Sequence, residues 1–304
     1  MSDEDLPPKS ETKTPSKLRS RARLAIRIFG ALVLLVGLYA TLVEPRRLVI
    51  REVEQPLASW RGPPLRIALL SDIHVGSPHW GLERTRELVT SVNAKNADVV
   101  ILAGDYVIDG VLLGTKISPE AIAEVLGGLN ARFGVYAVLG NHDWWNDGTR
   151  VRKALEAKGI QVLENEVGTF THGDGTIAIA GLADPMTRSP QPAQTFASAP
   201  PDAQVIAVVH GPDIFPTIDK RPVITLAGHT HGGQVRLPLL GRLVVPSQYG
   251  QRFAAGLVVE DDRHLFVTTG VGTSILPVRL GVPPEVVMLV LRSPEATPKK
   301  KPRQ

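Results

Sequence analysis

Apolar runs and amphipathic segments alternate through the first half of the chain. Short apolar runs predict buried strands at residues 66–71, 98–103 and 135–139. Apolar residues three or four positions apart predict helices at residues 82–93, 119–129 and 148–158. Ser118 and Pro119 suit the N-cap and the first turn of the second of these helices. This βαβαβα order predicts a mainly parallel sheet with helices on its faces.

The second half of the chain has fewer helical stretches and more short strands. Strands are predicted at residues 176–180, 204–209, 223–227, 234–237, 256–259, 265–268 and 286–291. An alternating segment at residues 48–53 predicts an edge strand. We therefore expect a second sheet that packs on the first.

The N-terminal part of the chain predicts a membrane anchor. Residues 1–23 are polar, charged and proline-containing, which predicts a disordered basic segment. Residues 28–43 carry no charge, and as a helix they span about 24 Å at ~1.5 Å per residue. Extending the helix to residue 24, with Arg27 reaching the interface, approaches the ~30 Å hydrocarbon core. We therefore predict a transmembrane helix at residues 24–43; a cleaved signal peptide and a buried core helix are the alternatives.

Basic residues flank this predicted helix unequally. The upstream flank contains Lys17, Arg19, Arg21, Arg23 and Arg27, and the downstream flank contains Arg46, Arg47 and Arg51. The excess of positive charge upstream predicts a cytoplasmic N-terminus and a main domain outside the cytoplasm. The remaining segments are predicted as a connector at residues 44–64, one folded domain at 65–292 and a basic tail at 293–304.

Composition narrows the function. The chain has no cysteine, which excludes disulfides, zinc–thiolate sites and thiol nucleophiles. The sequence pI near 9.4 suggests an anionic partner. Residues 65–292, however, contain 19 Lys and Arg against 22 Asp and Glu, a net charge of −3. No nucleic-acid partner is therefore expected, since that would require a basic patch on the domain. The basic ends fit an anionic membrane surface better.

Five polar islands follow apolar runs and carry the candidate chemistry. They are Asp72-Ile73-His74, Gly104-Asp105, Gly140-Asn141-His142-Asp143, His210 and Gly228-His229-Thr230-His231. Ligands of α/β sheets bind beyond the carboxyl ends of strands, which is where these islands lie. Each island alone could be an ordinary turn, but together they supply seven metal ligands and leave His142 over. Two adjacent divalent cations polarise a phosphate and generate hydroxide at neutral pH, so a two-metal phosphoesterase is predicted.

These motifs, in this order, resemble those of the calcineurin-like metallophosphoesterases over residues 65–292. Residues 134–143, 229–234 and 272–279 are similar to one bacterial branch that has a short N-terminal membrane anchor. The resemblance implies a four-layer αββα sandwich of two mixed sheets, preceded here by the transmembrane helix. It also implies a single-pass protein of the bacterial inner membrane.

The family pattern implies roles for the residues of the islands. One divalent cation would be held by Asp72, His74 and His231, and the other by Asn141, His210 and His229. Asp105 would bridge the two cations through its two oxygens. Carboxylate, imidazole and amide ligands suit Mn²⁺, Fe or Zn²⁺, and the sequence does not choose among these ions.

The same pattern implies that His142 and Asp143 are catalytic. His142 would face the substrate and either stabilise the charged transition state or protonate the leaving oxygen. Asp143 would orient the His142 imidazole by accepting its other ring N–H. One departure concerns the second shell: many family members have an Asp three residues after the bridging carboxylate, where this chain has Ile108 followed by Asp109.

Three further residues near the islands have open interpretations. His79 could line the substrate entrance or be a loop residue without a functional role. Trp145, with its neighbour Trp144, could pack an acyl or base moiety or wedge the start of the helix. Arg279 could meet a substrate phosphate or form a structural ion pair.

The predicted function is hydrolysis of a phosphodiester or pyrophosphate bond. The anchor favours a lipid-linked substrate, and the resemblance implies a UDP-2,3-diacylglucosamine-type intermediate of lipid A synthesis as the leading specific candidate. UDP-linked intermediates are cytoplasmic, which conflicts with the predicted orientation. The alternatives are a general phosphodiesterase acting on nucleotides or other extracytoplasmic phosphoesters, and a metal-binding scaffold without turnover. The oligomeric state stays open.

Overall fold

A computed structural model describes residues 17–294 of the chain. The predicted basic tail, apart from its first two residues, and residues 1–16 of the predicted disordered segment lie outside this range. The α-helices are α1 (Lys17–Leu38), α2 (Leu82–Asn93), α3 (Pro119–Leu126), α4 (Asn141–Glu156) and α5 (Pro192–Ala197). A π-helical turn (Tyr39–Val43) follows α1, and 3₁₀ turns lie at Glu44–Arg46, Pro212–Thr217, His231–Gly233 and Gly250–Phe253.

Fourteen strands are present in the described residues. The first seven are β1 (Val49–Pro56), β2 (Leu65–Leu70), β3 (Val99–Leu102), β4 (Val135–Ala137), β5 (Gln161–Val162), β6 (Glu166–His172) and β7 (Gly175–Gly181). The others are β8 (Gln204–Val208), β9 (Pro222–Ala227), β10 (Arg236–Leu237), β11 (Gly241–Arg242), β12 (Gly256–Glu260), β13 (Arg263–Val267) and β14 (Glu285–Arg292).

The strands form two six-stranded mixed sheets and one small hairpin. The first sheet has the order β1-β14-β2-β3-β4-β5, and it is parallel except where β14 pairs antiparallel with β2. The second has the order β12-β13-β9-β8-β7-β6, with antiparallel pairs only at its two edges. Strands β10 and β11 form the hairpin. The predicted pair of mixed sheets and the predicted edge strand β1 are confirmed.

Alternation along the strands builds the layers. In β2, Ala68 and Leu70 face the cluster that contains the apolar sides of α2, α3 and α4. Ile67 and Leu69 face the opposite way, into a cluster shared with the second sheet. A third cluster covers the outer face of the second sheet and includes residues of α5 and of the 3₁₀ turns. Because side chains alternate between faces along a strand, a sheet buried on both faces needs these near-continuous apolar runs.

Several elements differ from the sequence-based expectation. Helix α4 begins at Asn141, seven residues before the predicted start, and its backbone leaves helical geometry at Asp147. Strands β5 and β6 and helix α5 were not predicted, because β5 has two residues, β6 contains polar residues on both faces and α5 is short. The N-cap of α3 matches the prediction, since the Ser118 hydroxyl accepts a hydrogen bond from the backbone N–H of Ala121.

The apolar N-terminal helix lies outside the core of the domain. One stretch, Arg19–Arg46, is long and apolar enough to cross a membrane, with a mean hydropathy of 2.2 over its best window and 6% of that window buried. Its large side chains are exposed; Ile26 is 70% exposed and Phe29 is 68% exposed. The alternative of a buried core helix is therefore wrong. Helix α1 also begins at Lys17 and so extends into the segment for which no structure was predicted.

The C-terminal end of this helix is fixed to the domain. The backbone N–H of Arg279 donates to the carbonyl of Ala40 at 2.9 Å. The carboxylate of Glu44 accepts a hydrogen bond from Val282 N at 2.8 Å, and the indole N–H of Trp80 donates to the carbonyl of Pro45 at 3.2 Å. The helix thus leaves the domain at a defined place, beside residues 279–282.

Candidate metal centre

The five polar islands converge at the carboxyl ends of five strands. They follow β2, β3 and β4 in the first sheet and β8 and β9 in the second. The structure brings together three sets of side chains whose donor atoms lie within 4.8 Å of one another and could hold a metal ion. These sets are Asp72, His74 and His231; Asp105, His210 and His229; and His74, Asp105 and His142. All of these side chains except that of His229 are buried.

Asp105 lies at the centre of this arrangement. Its Oδ2 is 3.1 Å from His210 Nε2 and 3.7 Å from His74 Nε2. Asp105 therefore faces a residue of the set with His229 and a residue of the set with Asp72 and His231. Its Oδ1 accepts a hydrogen bond from the backbone N–H of His142 at 2.9 Å. The distances agree with the bridging role that the family resemblance implies for this carboxylate.

The imidazoles are oriented by backbone carbonyls. His210 Nδ1 lies 2.7 Å from the carbonyl of Ala103, and His74 Nδ1 lies 3.2 Å from the carbonyl of Val107. The Nε2 atoms therefore face the centre, where His74 Nε2 is 3.1 Å from His231 Nε2. Two imidazole nitrogens that face the same point at this distance suit ligation of one cation, and the carbonyl of Val107 fixes the ring of His74.

The backbone at the ligand positions is strained. Five of the seven predicted ligands have positive φ: Asp72 (52°), His74 (47°), Asp105 (60°), His229 (70°) and His231 (49°). A residue other than glycine that adopts the left-handed conformation costs of order 1–3 kcal/mol, and such residues cluster at functional sites. The surrounding structure must stabilise these turns, and their concentration at one site indicates a function other than stability.

Burial and charge set the protonation of the donors. Burial lowers the pKa of His74 to about 3 and that of His229 to about 4. Neutral imidazole is the form that binds a cation. Burial also raises the pKa of Asp72 to about 6, because its carboxylate is removed from water. Burial opposes ionisation of Asp105 as well, but the charge and hydrogen bond of His210, together with the charges of His74 and His142, outweigh burial and lower the pKa of Asp105. The ionised form of the buried Asp105 carboxylate is therefore stabilised by nearby positive charge.

One buried polar atom supports the fit of a cation. The side-chain oxygen of Asn141 is buried and has no hydrogen-bond donor among the described residues. Mutational data from proteins give a cost of roughly 1–3 kcal/mol for a buried amide oxygen that lacks a hydrogen-bond partner. Together with the carboxylates and imidazoles of the three sets, the Asn141 oxygen would give a donor set that suits a divalent metal.

The role predicted for Asp143 is wrong. Its carboxylate accepts backbone hydrogen bonds from Asp105, Tyr106 and Val107 and from Gly140, its own helix N-cap. Nδ1 of His142 is buried without a partner among residues 17–294. Adjacent residues on a helix point about 100° apart, so Asp143 turns toward the helix N-terminus instead of the imidazole. It holds the Asp105 loop against the start of α4.

Comparison with known proteins identifies the family. A model described as calcineurin-like phosphoesterase matches residues 65–233, which is more than half of the chain. The chain belongs to the calcineurin-like phosphoesterase family. It is therefore a hydrolase, which removes the alternative of a metal-binding scaffold without turnover, and the matched region contains every predicted metal ligand.

Several relatives carry corresponding names. The metallophosphoesterase YkuE of Bacillus subtilis (strain 168) is 32% identical over 288 residues, which cover 91% of this chain and 99% of the relative. The phosphodiesterase YaeI of Escherichia coli (strain K12) is 30% identical over 236 residues, covering 75% of this chain and 82% of the relative. A Danio rerio relative named as a transmembrane protein with metallophosphoesterase domain is 32% identical over 245 residues, covering 75% of this chain and 53% of the relative.

His142 lies beside the metal-site donors of the phosphoesterase. Its Nε2 lies 3.4 Å from the Ser274 hydroxyl, and its ring packs edge-on against His74 and against Trp145. Trp145 is 53% exposed, whereas Trp144 packs against the core. The buried imidazole therefore lies between the metal-site donors and Trp145, whose side chain is partly exposed.

Arg279 is structural in this phosphoesterase. Its buried guanidinium donates to the backbone carbonyls of Gly272, Val282, Thr269 and Gly270, and Nη2 lies 3.5 Å from His231 Nδ1. Neither predicted role applies, because its donors serve carbonyl oxygens instead of a phosphate or a carboxylate. It ties the loop after β13 to His231. His79 lies beside the end of α1, as described below, and not among the metal-site donors.

Sequence reasoning missed Asp184 and Ser274. Asp184 is buried at the end of β7, and its Oδ2 accepts hydrogen bonds from the backbone N–H and the hydroxyl of Thr187. Burial raises its pKa, and it interacts electrostatically with His210. Its position three residues after the end of β7 resembles the signal that marked the ligands. Ser274 lies in the segment 272–279 that carries the family resemblance, but no functional role was predicted for it.

Gly228 allows close packing beside the metal-site donors, and its substitution tests that packing. A Cβ at this position would overlap the Ser71 hydroxyl and approach Asp72 Oδ2 within 2.5 Å. We expect Gly228→Ala to lower the free energy of unfolding by about 1–3 kcal/mol, the usual cost of overpacking. Gly175→Ala is the matched control, since its nearest atom, the carbonyl oxygen of His172, is 3.9 Å away. Equal stability of the two variants in urea unfolding would contradict the packing described here.

Proposed function

We propose that the chain is a phosphodiesterase that uses two divalent cations to hydrolyse a lipid-linked phosphodiester or pyrophosphate. The observation that carries the proposal is the convergence of Asp72, His74, His210, His229 and His231 around Asp105, with five of these six side chains on strained backbone. Strain of this kind persists where function requires it. The native ions are Mn²⁺, Fe or Zn²⁺, each compatible with the donor set.

The donor side chains divide into two groups around one carboxylate. Asp72, His74 and His231 would hold one cation, and Asn141, His210 and His229 the other. Asp105 would contact both. When bound, the cations supply positive charge for the phosphate oxygens and lower the pKa of water to near neutrality.

Side chains and backbone groups of the protein would assist catalysis and position the ligands. His142 lies beside His74 and Asp105, where its imidazole would stabilise the charge of the transition state or donate a proton to the leaving oxygen. Asp143 is a positioning residue, because its carboxylate holds the backbone N–H groups of Asp105 and Tyr106. The carbonyl of Ala103 keeps the His210 imidazole in one orientation, and the carbonyl of Val107 does the same for His74.

A membrane location supports the lipid-linked substrate. The exposed apolar helix α1 suits a single transmembrane anchor, and relatives from Danio rerio and Bos taurus are named as transmembrane proteins. We infer that the anchor lies in a bacterial inner membrane with the domain outside the cytoplasm. A UDP-2,3-diacylglucosamine-type pyrophosphate is the most specific substrate candidate, although its cytoplasmic origin conflicts with that orientation.

A second candidate is a general phosphodiesterase that acts on soluble phosphoesters. The name of the relative YaeI, a phosphodiesterase, favours it. The two candidates share the metal centre and differ in the leaving group, so a substrate panel separates them.

Removal of metal from the purified full-length protein tests the proposal. We expect dialysis against a chelator to abolish hydrolysis of bis-p-nitrophenyl phosphate, and Mn²⁺, Fe²⁺ or Zn²⁺ to restore it. UDP-2,3-diacylglucosamine and phospholipids in mixed micelles should be hydrolysed at least about tenfold faster than the soluble ester, a difference of ~1.4 kcal/mol in the barrier. Activity that survives complete metal removal would contradict the proposed chemistry, whereas a preference for soluble esters would favour the general phosphodiesterase.

A further inference from the structure

Exposed apolar side chains concentrate in three loops on one side of the domain. We call this group the apolar rim, and its members are Leu112, Leu113, Leu239, Leu240, Leu243, Val244, Ile275 and Leu276. Each is more than half exposed; Leu113 is 79% exposed and Val244 is 73% exposed. Elsewhere in the described domain, outside the N-terminal helix, the large exposed apolar residues are Trp145, Met186, Tyr249, Leu257 and Val259. Soluble domains rarely expose a large contiguous apolar patch, and such patches mark a binding surface.

Hydrogen bonds join the three loops into one surface. Leu112 N donates to the carbonyl of Ile275 at 2.9 Å. The side-chain amide of Gln234 donates to the carbonyls of Ser274 and Leu276, and its backbone carbonyl accepts from Leu280 N. Leu239 and Leu240 form the tip of the β10–β11 hairpin, which begins two residues after Gln234. The rim is therefore held in place by the domain.

The rim adjoins the place where the apolar N-terminal helix leaves the domain. Burial lowers the pKa of His79, and the backbones of Thr41 and of Pro277, one residue beyond Leu276, both oppose this shift, so the imidazole lies near both segments. Arg279 N donates to the carbonyl of Ala40 at 2.9 Å. The helix end itself exposes Leu38, Leu42 and Val43. The apolar surface of the helix thus continues into the rim.

The rim also adjoins the metal-site donors. Ser274, which precedes Ile275, has its hydroxyl 3.4 Å from His142 Nε2. Arg236 and Arg242 face each other across the hairpin that carries Leu239 and Leu240. Basic groups at the edge of an apolar patch are suited to anionic lipid headgroups at a membrane surface.

We propose that the apolar rim inserts into the same leaflet that the N-terminal helix enters, so that the metal centre opens at the boundary of headgroups and hydrocarbon. This inference rests on the membrane anchor of the proposed function. A phosphoester lipid would then reach His142 while its acyl chains stay in the bilayer. The occupant of the rim is the bilayer itself, because the helix that would span it ends at the edge of the rim.

The absence of cysteine makes the test direct. Leu113→Cys, Leu239→Cys and Ile275→Cys are each labelled with an environment-sensitive NBD fluorophore in the full-length protein. The proteins are reconstituted in vesicles of phosphatidylcholine and phosphatidylglycerol with and without doxyl-labelled lipid. Val259→Cys is the matched control, since Val259 is 54% exposed on the edge strand β12, and Phe29→Cys reports insertion of the helix.

We expect the rim probes and the Phe29 probe to shift to shorter wavelength and to lose at least half of their fluorescence to doxyl lipid, while the Val259 probe does neither. Rim probes that behave like the Val259 probe would overturn the proposal even if Phe29 inserts. A Phe29 probe that stays in water would overturn the anchor and the rim together. Hydrolysis of bis-p-nitrophenyl phosphate by the same proteins is measured in parallel, so that a failure of the proposed chemistry is seen separately.

Discussion

Asp105→Asn is expected to lower hydrolysis of bis-p-nitrophenyl phosphate by about 10³-fold or more, equal to ~4 kcal/mol of transition-state stabilisation. The substitution removes the negative charge that faces both His210 and His74. The amide oxygen can still accept the hydrogen bond from His142 N, so the fold should persist. Steady-state kinetics and elemental analysis of bound metal on the same preparation measure the effect, and bound metal should fall with activity.

Asp109→Asn is the control for this variant. Asp109 lies four residues from Asp105 in the same loop, but its carboxylate is 41% exposed and pairs with Lys116. Exposed ion pairs contribute little, so this variant should keep its activity and its metal. If Asp105→Asn retained turnover within about tenfold of the parent protein, Asp105 would not be the shared ligand.

His142→Ala is expected to separate metal binding from catalysis. A general acid or a charge-stabilising donor contributes about 10²–10⁴-fold, so turnover should fall by that range. Bound metal should stay at the parental level, because the three predicted ligands of each group do not include His142. The measurement is kcat together with metal content. His264→Ala, on β13 away from the site, is the control and should change neither quantity.

A parallel loss of metal and activity in His142→Ala would assign His142 to the ligands instead. That outcome is a genuine alternative, since the donor atoms of His74, Asp105 and His142 also lie within 4.8 Å of one another. Parental turnover would remove His142 from both roles.

Much of this site could be predicted from the sequence because its ligands follow apolar strands. Asp72 comes two residues after the end of β2, and His229 comes two residues after the end of β9. Strands buried on both faces produce continuous apolar runs that are easy to recognise, and the carboxyl ends of neighbouring parallel strands lie together. The convergence of the islands therefore needed no knowledge of the loops between them.

The other features of the structure could not be predicted, because they depend on contacts between residues that are distant in sequence. The early start of α4 is one case, since the carboxylate of Asp105 accepts from His142 N, 37 positions away. The true partners of Asp143 and the carbonyl cage around Arg279 likewise involve loops with no periodicity. The apolar rim was missed because its residues are scattered through three irregular loops, where no local pattern marks a shared surface.

Anomalous diffraction from a crystal soaked in Mn²⁺ tests the central claim most directly. The claim is that Asp105 and the two groups of donors around it hold divalent cations. We predict two anomalous peaks that share contact with the Asp105 carboxylate, one beside Asp72, His74 and His231 and the other beside Asn141, His210 and His229. The absence of any peak within coordination distance of Asp105 would contradict the metal centre and the hydrolytic chemistry proposed from it.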